Sequence, residues 1–194
     1  MLLDLGAGTG GFASVMQRWG WTVSALEPDE AARSKAAELY ALSLEDSSKL
    51  FELEASKFDA ITLWHVIEHV HPLHAYLEQL KKILKPGGII FIAVPNYTSY
   101  DASLYKQFWA AYDTPRHLYH FSPTAMQQLL QLHGLHLKAI KPMWFDSFYV
   151  SLLSEKYKSG SPNLPRGFVN GAISNLKALL NNRKASSLIY IISK

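Results

Sequence analysis

At 194 residues the chain is the size of one domain with a full core, and its 48% hydrophobic and 18% charged residues exclude a disordered chain. Zero cysteine excludes disulfides, thiolate metal sites and a cysteine nucleophile together. The net charge of +3 is uneven: residues 135–194 carry nine Lys/Arg against two acids, residues 1–134 ten against fourteen. A basic third of this kind is either a solvated surface, which the scatter of its charges favours, or a face for an anionic substrate, nucleic acid or membrane. No signal peptide and no apolar run near the roughly 18 residues of a membrane helix is visible, so a cytoplasmic chain without a membrane partner is expected.

In chain order, LLDL (2–5) reads as a first strand and GGFASVMQRW (10–19) as a helix opening at the glycines. WTVSALE (21–27) is a second strand, Asp29 a cap for a helix to about Leu39, and YALSLE (40–45) a short third strand. FDAITLW (58–64) is the fourth. Leu73, Leu77, Leu80 and Leu84 then share one helical stripe, which Lys85-Pro86-Gly87-Gly88 stops before the fully apolar strand IIFIAVP (89–95). Repeated β-α units argue for a parallel sheet with helices on both faces.

After Pro95 the texture changes, with eight aromatics in residues 97–121. They are either a lid over a flat or apolar substrate or packing for that segment. Ser122-Pro123 opens a helix that Gly134 ends. Residues 135–145 read as a strand, 147–157 and 168–181 as helices separated by a loop at 159–167, and 186–193 as the last strand. One domain over 1–194 results, with a cofactor-binding half (1–95) and a substrate or lid half (96–194). Because the sequence opens inside its first strand, a further segment upstream is expected.

The loop LDLGAGTGG has two readings. Gly6, Gly8 and Gly11 fit the dinucleotide fingerprint, while Gly6, Gly8 and Gly10 fit the pattern of S-adenosylmethionine sites. Glu27, ending strand two, suits the ribose hydroxyls of either ligand. The linked set LDLGAGTG, Glu27, FDAI, IEHV and LKPGG resembles the class I S-adenosylmethionine-dependent methyltransferases, most of all their small-molecule, ubiquinone O-methyltransferase-like group, over residues 1 to about 134.

That resemblance implies a Rossmann-like, doubly wound, mostly parallel sheet of seven strands with the last one antiparallel. It implies S-adenosylmethionine as donor, S-adenosylhomocysteine as product and a small-molecule acceptor. No nucleic acid is expected, since the (D/N)-P-P-(F/Y/W) motif is absent after strand four and no basic-aromatic groove pattern is present. Gly6, Ala7, Gly8 and Gly10 would pass under the donor, and Asp4 would orient the loop, meet the donor's amino group or serve structure alone. Glu27 and Pro28 would hold the ribose, Leu44 the adenine, and Trp64 and His65 the methionine side. A non-catalytic binding protein of the same fold and a nicotinamide-dependent oxidoreductase are the alternatives.

His65-Val66-Ile67-Glu68-His69 also matches the H-x-x-E-H zinc pattern. Its first histidine ends a strand, so the two histidines are not expected on one helical face, and no metal is expected. His69 is read instead as a structural histidine. For the proton removal that some acceptors require, His117 is the first candidate base and His120 the second, with Tyr97 and Arg116 at the substrate. The alternative for both histidines is to fasten their segment to the core.

Overall fold

The apolar runs assemble as their patterning dictates. In the computed structural model, which describes residues 1–194, β1 (Leu2–Leu5), β2 (Val23–Leu26), β3 (Phe58–Trp64) and β4 (Leu84–Pro95) pair in parallel. β5 (His136–Pro142) and β6 (Ser187–Ser193) complete one sheet in the order β2-β1-β3-β4-β6-β5. β6 alone runs antiparallel, against both β4 and β5. Strand order reverses at β1, which opens a crevice at the carboxyl ends of β1 and β3.

The sheet has six strands where seven were expected. The segment read as a third strand makes one parallel bridge, Glu45 to Leu26. The physical cause is local: Ala41 in left-handed conformation ends the preceding helix, and Asp46 caps a 3-10 turn at Ser48, so hardly any chain is left to pair. The Glu27 N–H still donates to Glu45 O and the Glu45 N–H to Ala25 O, closing that edge of β2.

The helices α1 (Gly11–Arg18), α2 (Glu30–Tyr40), α3 (Leu73–Ile83) and α5 (Pro123–Leu132) fall close to their expected places. Asp29 caps α2 by accepting from the Ala31 N–H, and Ser122 caps α5 by accepting from Ala125. The α3 leucine stripe is fully buried and joins Leu3, Ile61, Ile90 and Ile192 in the main core. LKPGG is not only a helix stop. β4 starts at Leu84 and is bulged there, with Leu84 opposite Phe58 and Ile89 opposite Ala60.

Beyond Pro95, a short helix α4 (Tyr100–Tyr105) and two 3-10 turns pack beneath α6 (Asp146–Ser159) and α7 (Leu164–Leu180). Tyr105 and Trp109 are buried there. The Trp109 indole N–H donates to Asp101 Oδ2 (2.7 Å) and the Tyr105 hydroxyl to Glu155 Oε1 (3.0 Å), so these two aromatics are packing and not lid.

Candidate functional site

The glycine loop leaves β1 with Gly6 at φ +67° and Gly8 at φ +53°. A Cβ on Gly6 would come within 2.5 Å of Val66 Cγ2, so this glycine is required by close approach as well as by conformation. At Gly8 a Cβ would meet nothing within 4 Å: the loop there faces open space. Glu27, buried at the end of β2, accepts from the Gly8 N–H through Oε2 (2.7 Å) and from the Asp29 N–H through Oε1 (3.0 Å). Each oxygen has a second lone pair, so the carboxylate is held in place with acceptor capacity left for two hydroxyls. Leu44 packs with Ala7 on a small alanine-rich cluster beside this loop.

Asp4 lies one step deeper. The Thr62 hydroxyl donates to Oδ1 (2.7 Å), and buried Oδ2 has no partner. Burial, opposed by Thr62 and reinforced by the charge of Glu27, raises its pKa to about 6. The Trp64 indole N–H, at the end of β3, is also buried without a partner, and its ring meets Phe12 edge-on at 5.3 Å. Around one crevice the chain thus offers a backbone loop, a braced carboxylate and two unsatisfied buried polar atoms. A charged, ribose-bearing donor with an amino group matches that set.

His65 follows at φ +56°. Its Nδ1 is 3.2 Å from Glu68 Oε1 and its Nε2 3.2 Å from Asp146 Oδ2. Burial opposes a charge on the ring, but the two carboxylates outweigh it and raise its pKa to about 10. His65 is therefore an imidazolium at neutral pH, tying the end of β3 to the start of α6. It cannot act as a base.

A cavity of about 220 Å³ opens beside it, lined by His65 and Pro95 at the strand ends, Arg116 and His117, and Tyr149 and Tyr157 of α6. His117 Nδ1 lies 2.9 Å from the Ala111 carbonyl, which can only accept. Nδ1 must carry the proton, which leaves the Nε2 lone pair free in the neutral ring. Burial lowers its pKa below the usual imidazole value. Arg116 is ion-paired to Asp113 Oδ1 (2.6 Å) at the same cavity.

Two expected residues lie elsewhere. Tyr97 borders a separate shallow hollow with Lys106 and Tyr112, so the structure does not bring it to this cavity. Its backbone follows Asn96, whose side chain is spent on the Arg183 and Ala185 carbonyls. His120 points Nε2 at the Tyr112 carbonyl (3.0 Å) and does not line the cavity, which fits the fastening role. Asp146 and the α6 tyrosines were not singled out from sequence; an acid opening an apolar helix carries no signal of its partner 81 residues earlier.

The H-x-x-E-H histidines do not share a helix, as expected: residues 65–72 are bends and turns. Yet Glu68, His69 and His117 each place one ligand atom within 4.8 Å of the others. Glu68 Oε2 is buried and unpartnered, and His69 Nδ1 is engaged by the Arg116 carbonyl, leaving its Nε2 free.

Residues 1–140 match a family described as a methyltransferase domain. The chain is 28% identical over 166 residues to the mitochondrial ubiquinone biosynthesis O-methyltransferase of Homo sapiens, covering 76% of this chain and 44% of that protein. It is 36% identical over 104 residues to the ubiquinone biosynthesis O-methyltransferase of Caulobacter vibrioides, covering 50% and 41%. The chain therefore spans less than half the length of these curated relatives. Among solved structures, an S-adenosylmethionine-dependent methyltransferase of Archaeoglobus fulgidus superposes with a TM-score of 0.67 at 19% identity, over 100% of this chain and 85% of that one. One from Mesorhizobium loti gives 0.63 at 15%, over 100% and 90%. These likenesses share the Rossmann-like fold, and the match over residues 1–140 decides the family: the chain belongs to the methyltransferase domain family.

Proposed function

We propose that the chain is an S-adenosylmethionine-dependent methyltransferase acting on a small molecule. The observation that carries this reading is the adjacency of two sites. Trp64, at the end of β3, packs on Phe12 of the helix that leaves the glycine loop, and the next residue, His65, lines the cavity, so a donor on the loop and an acceptor in the cavity would meet at the end of β3. The donor supplies an electrophilic methyl group, for which the protein needs only position, exclusion of water and, where the acceptor is protonated, a base.

In this reading Glu27 holds the ribose hydroxyls, and Asp4 Oδ2 and the Trp64 indole find partners on the donor's methionine side. His117 Nε2 accepts the proton of an acceptor hydroxyl or amine. Ala111 fixes the ring's tautomer, and the lowered pKa keeps it neutral at pH 7. Arg116 orients an anionic group at the cavity mouth.

Calorimetric titration with S-adenosylhomocysteine, with NAD as control, tests the donor. Micromolar binding of the first ligand alone, lost in Glu27→Ala, supports it over the oxidoreductase alternative. Binding of NAD alone would sink it. Turnover with any acceptor from a screen of phenols and amines then excludes the non-catalytic alternative.

The unpartnered Glu68 Oε2 favours one second reading. Two imidazole nitrogens and one carboxylate suit a transition-series divalent ion better than Mg²⁺, and Glu68, His69 and His117 would hold it. Such an ion would supply Lewis acidity to an acceptor oxygen. Loss of turnover on chelation, restored by Zn²⁺ or Mn²⁺, would favour this reading and withdraw His117 as base.

A further inference from the structure

In most surface helices large apolar residues turn inward, as the leucines of α3 do. α7 is built the other way round. Its buried residues are Gly167, Gly171, Ser174 and Ala178. A Cβ on Gly167 or Gly171 would come within 2.8 Å of Leu152 or Phe148, so α7 rides close on α6 through its small side chains. Its large apolar residues point away from the protein. Leu164, Phe168, Leu176, Leu179 and Leu180 are each more than 60% exposed, and Phe145, just ahead of α6, is 87% exposed. Soluble monomers rarely keep so continuous an apolar face in water.

The charges around this face select its partner. Residues 146–184 hold six Lys/Arg and two acids. Both acids are turned inward: Asp146 pairs with His65, and Glu155 is buried, accepting from Tyr105 and Asn170 with Arg166 at 3.4 Å. Lys156, Lys158 and Lys177 form no ion pair. An apolar strip with uncompensated cations repels a second copy of itself and complements negative headgroups over acyl chains. No helix of the chain is long and apolar enough to cross a membrane, and α7, about 25 Å long, suits lying in the interface instead.

We propose that the outer face of α7, with the adjoining flank of α6, docks the protein on an anionic lipid bilayer. Tyr149 and Tyr157 of α6 also line the cavity, so docking brings the cavity mouth near the lipid surface. The inference does not depend on the donor or on methyl transfer.

The test is flotation of the full chain with phosphatidylcholine vesicles, with and without about one-third phosphatidylglycerol. The chain should bind the anionic vesicles at least ~10-fold more tightly than the neutral ones. The Leu176→Asp/Leu180→Asp variant should lose that binding at least ~10-fold with an unchanged melting temperature, because both side chains are exposed. Lys156→Glu/Lys177→Glu, an independent variant, should lose it on anionic vesicles only. Absence of vesicle binding, equal binding to both vesicle types, or full binding by both variants overturns the proposal. A dimer in sedimentation velocity that Leu176→Asp/Leu180→Asp dissolves, without vesicle binding, assigns the face to a second copy instead.

Discussion

The two sides of the crevice are built from different materials. The proposed donor side is set by backbone conformation over one short stretch: a glycine loop, the Glu27 carboxylate braced by two N–H groups, and Asp4 at the root of the loop, with Trp64 alone added from the end of β3. The proposed acceptor side is side chain: His65, Arg116, His117 and the α6 tyrosines line one cavity and converge from segments up to 92 residues apart. Backbone sites tolerate little change at few positions, because conformation itself is the binding element. Side-chain sites can be altered residue by residue without disturbing the frame, and substitution should separate the two accordingly.

The largest effect is expected at Gly6. Alanine there must hold φ +67° and displace Val66, costing about 2–4 kcal/mol of stability and abolishing donor binding, read by thermal melting and calorimetry. On the acceptor side, His117→Ala should leave S-adenosylhomocysteine affinity unchanged and lower kcat by ~10²–10⁴. The acid limb of the wild-type rate profile should fall below pH 6.5, since burial lowers this pKa. A His117→Ala enzyme that loses donor affinity as well would erase the proposed division between the sides.

Glu27→Ala should weaken donor binding by about 10²-fold, because it removes a charged acceptor and leaves the Gly8 and Asp29 N–H groups that it braces without their partner. At the seam between the sides sits the His65–Asp146 pair. A histidine raised from 6.5 to about 10 by folding adds stability that is complete below pH 6.5 and fades as pH rises through 10. Asp146, lowered by its partner despite its burial, adds stability that fades as pH falls through its folded value. His65→Gln should therefore cost about 1–2 kcal/mol near neutral pH, with the deficit closing towards pH 10. A deficit independent of pH would mean that packing, not charge, holds the seam.

How much of this the sequence discloses follows from the same contrast. The glycines, Glu27 and the strand-helix alternation are local signals, and the glycine loop with its braced carboxylate is legible from them. The acceptor side is not, because no spacing rule links residue 65 to 117 or 146. The bridge at Glu45 shows another limit: an apolar alternation of six residues cannot announce that caps on both sides will consume it. In α7 the apolar count predicts a helix from 168, but Asn163 caps it and it starts at Leu164, inside the expected loop, and the count does not say which way it faces. The spacing of Gly167, Gly171, Ser174 and Ala178 was the readable clue, since only small side chains permit so close a helix contact.

The smallest predicted effect separates stability from function within the donor side. Asp4 is buried, and its pKa rises from 3.8 to about 6 in the folded chain. A raised carboxylate binds its proton more tightly when folded, so it favours folding at low pH and costs stability as pH climbs from 3.8 through 6. Above pH 6 Asp4 is a buried anion with one oxygen unpartnered. Asn keeps the size and can still accept from Thr62 without the charge. Asp4→Asn should therefore stabilise the ligand-free chain by about 1 kcal/mol at pH 8, and give no gain at pH 4, where the native carboxyl is already protonated. If Oδ2 is kept free for the donor's amino group, the same variant should bind S-adenosylhomocysteine about tenfold more weakly at pH 8. Stabilisation without loss of affinity would return Asp4 to a purely structural role, and loss of both would mean that its charge orders the glycine loop before any ligand arrives.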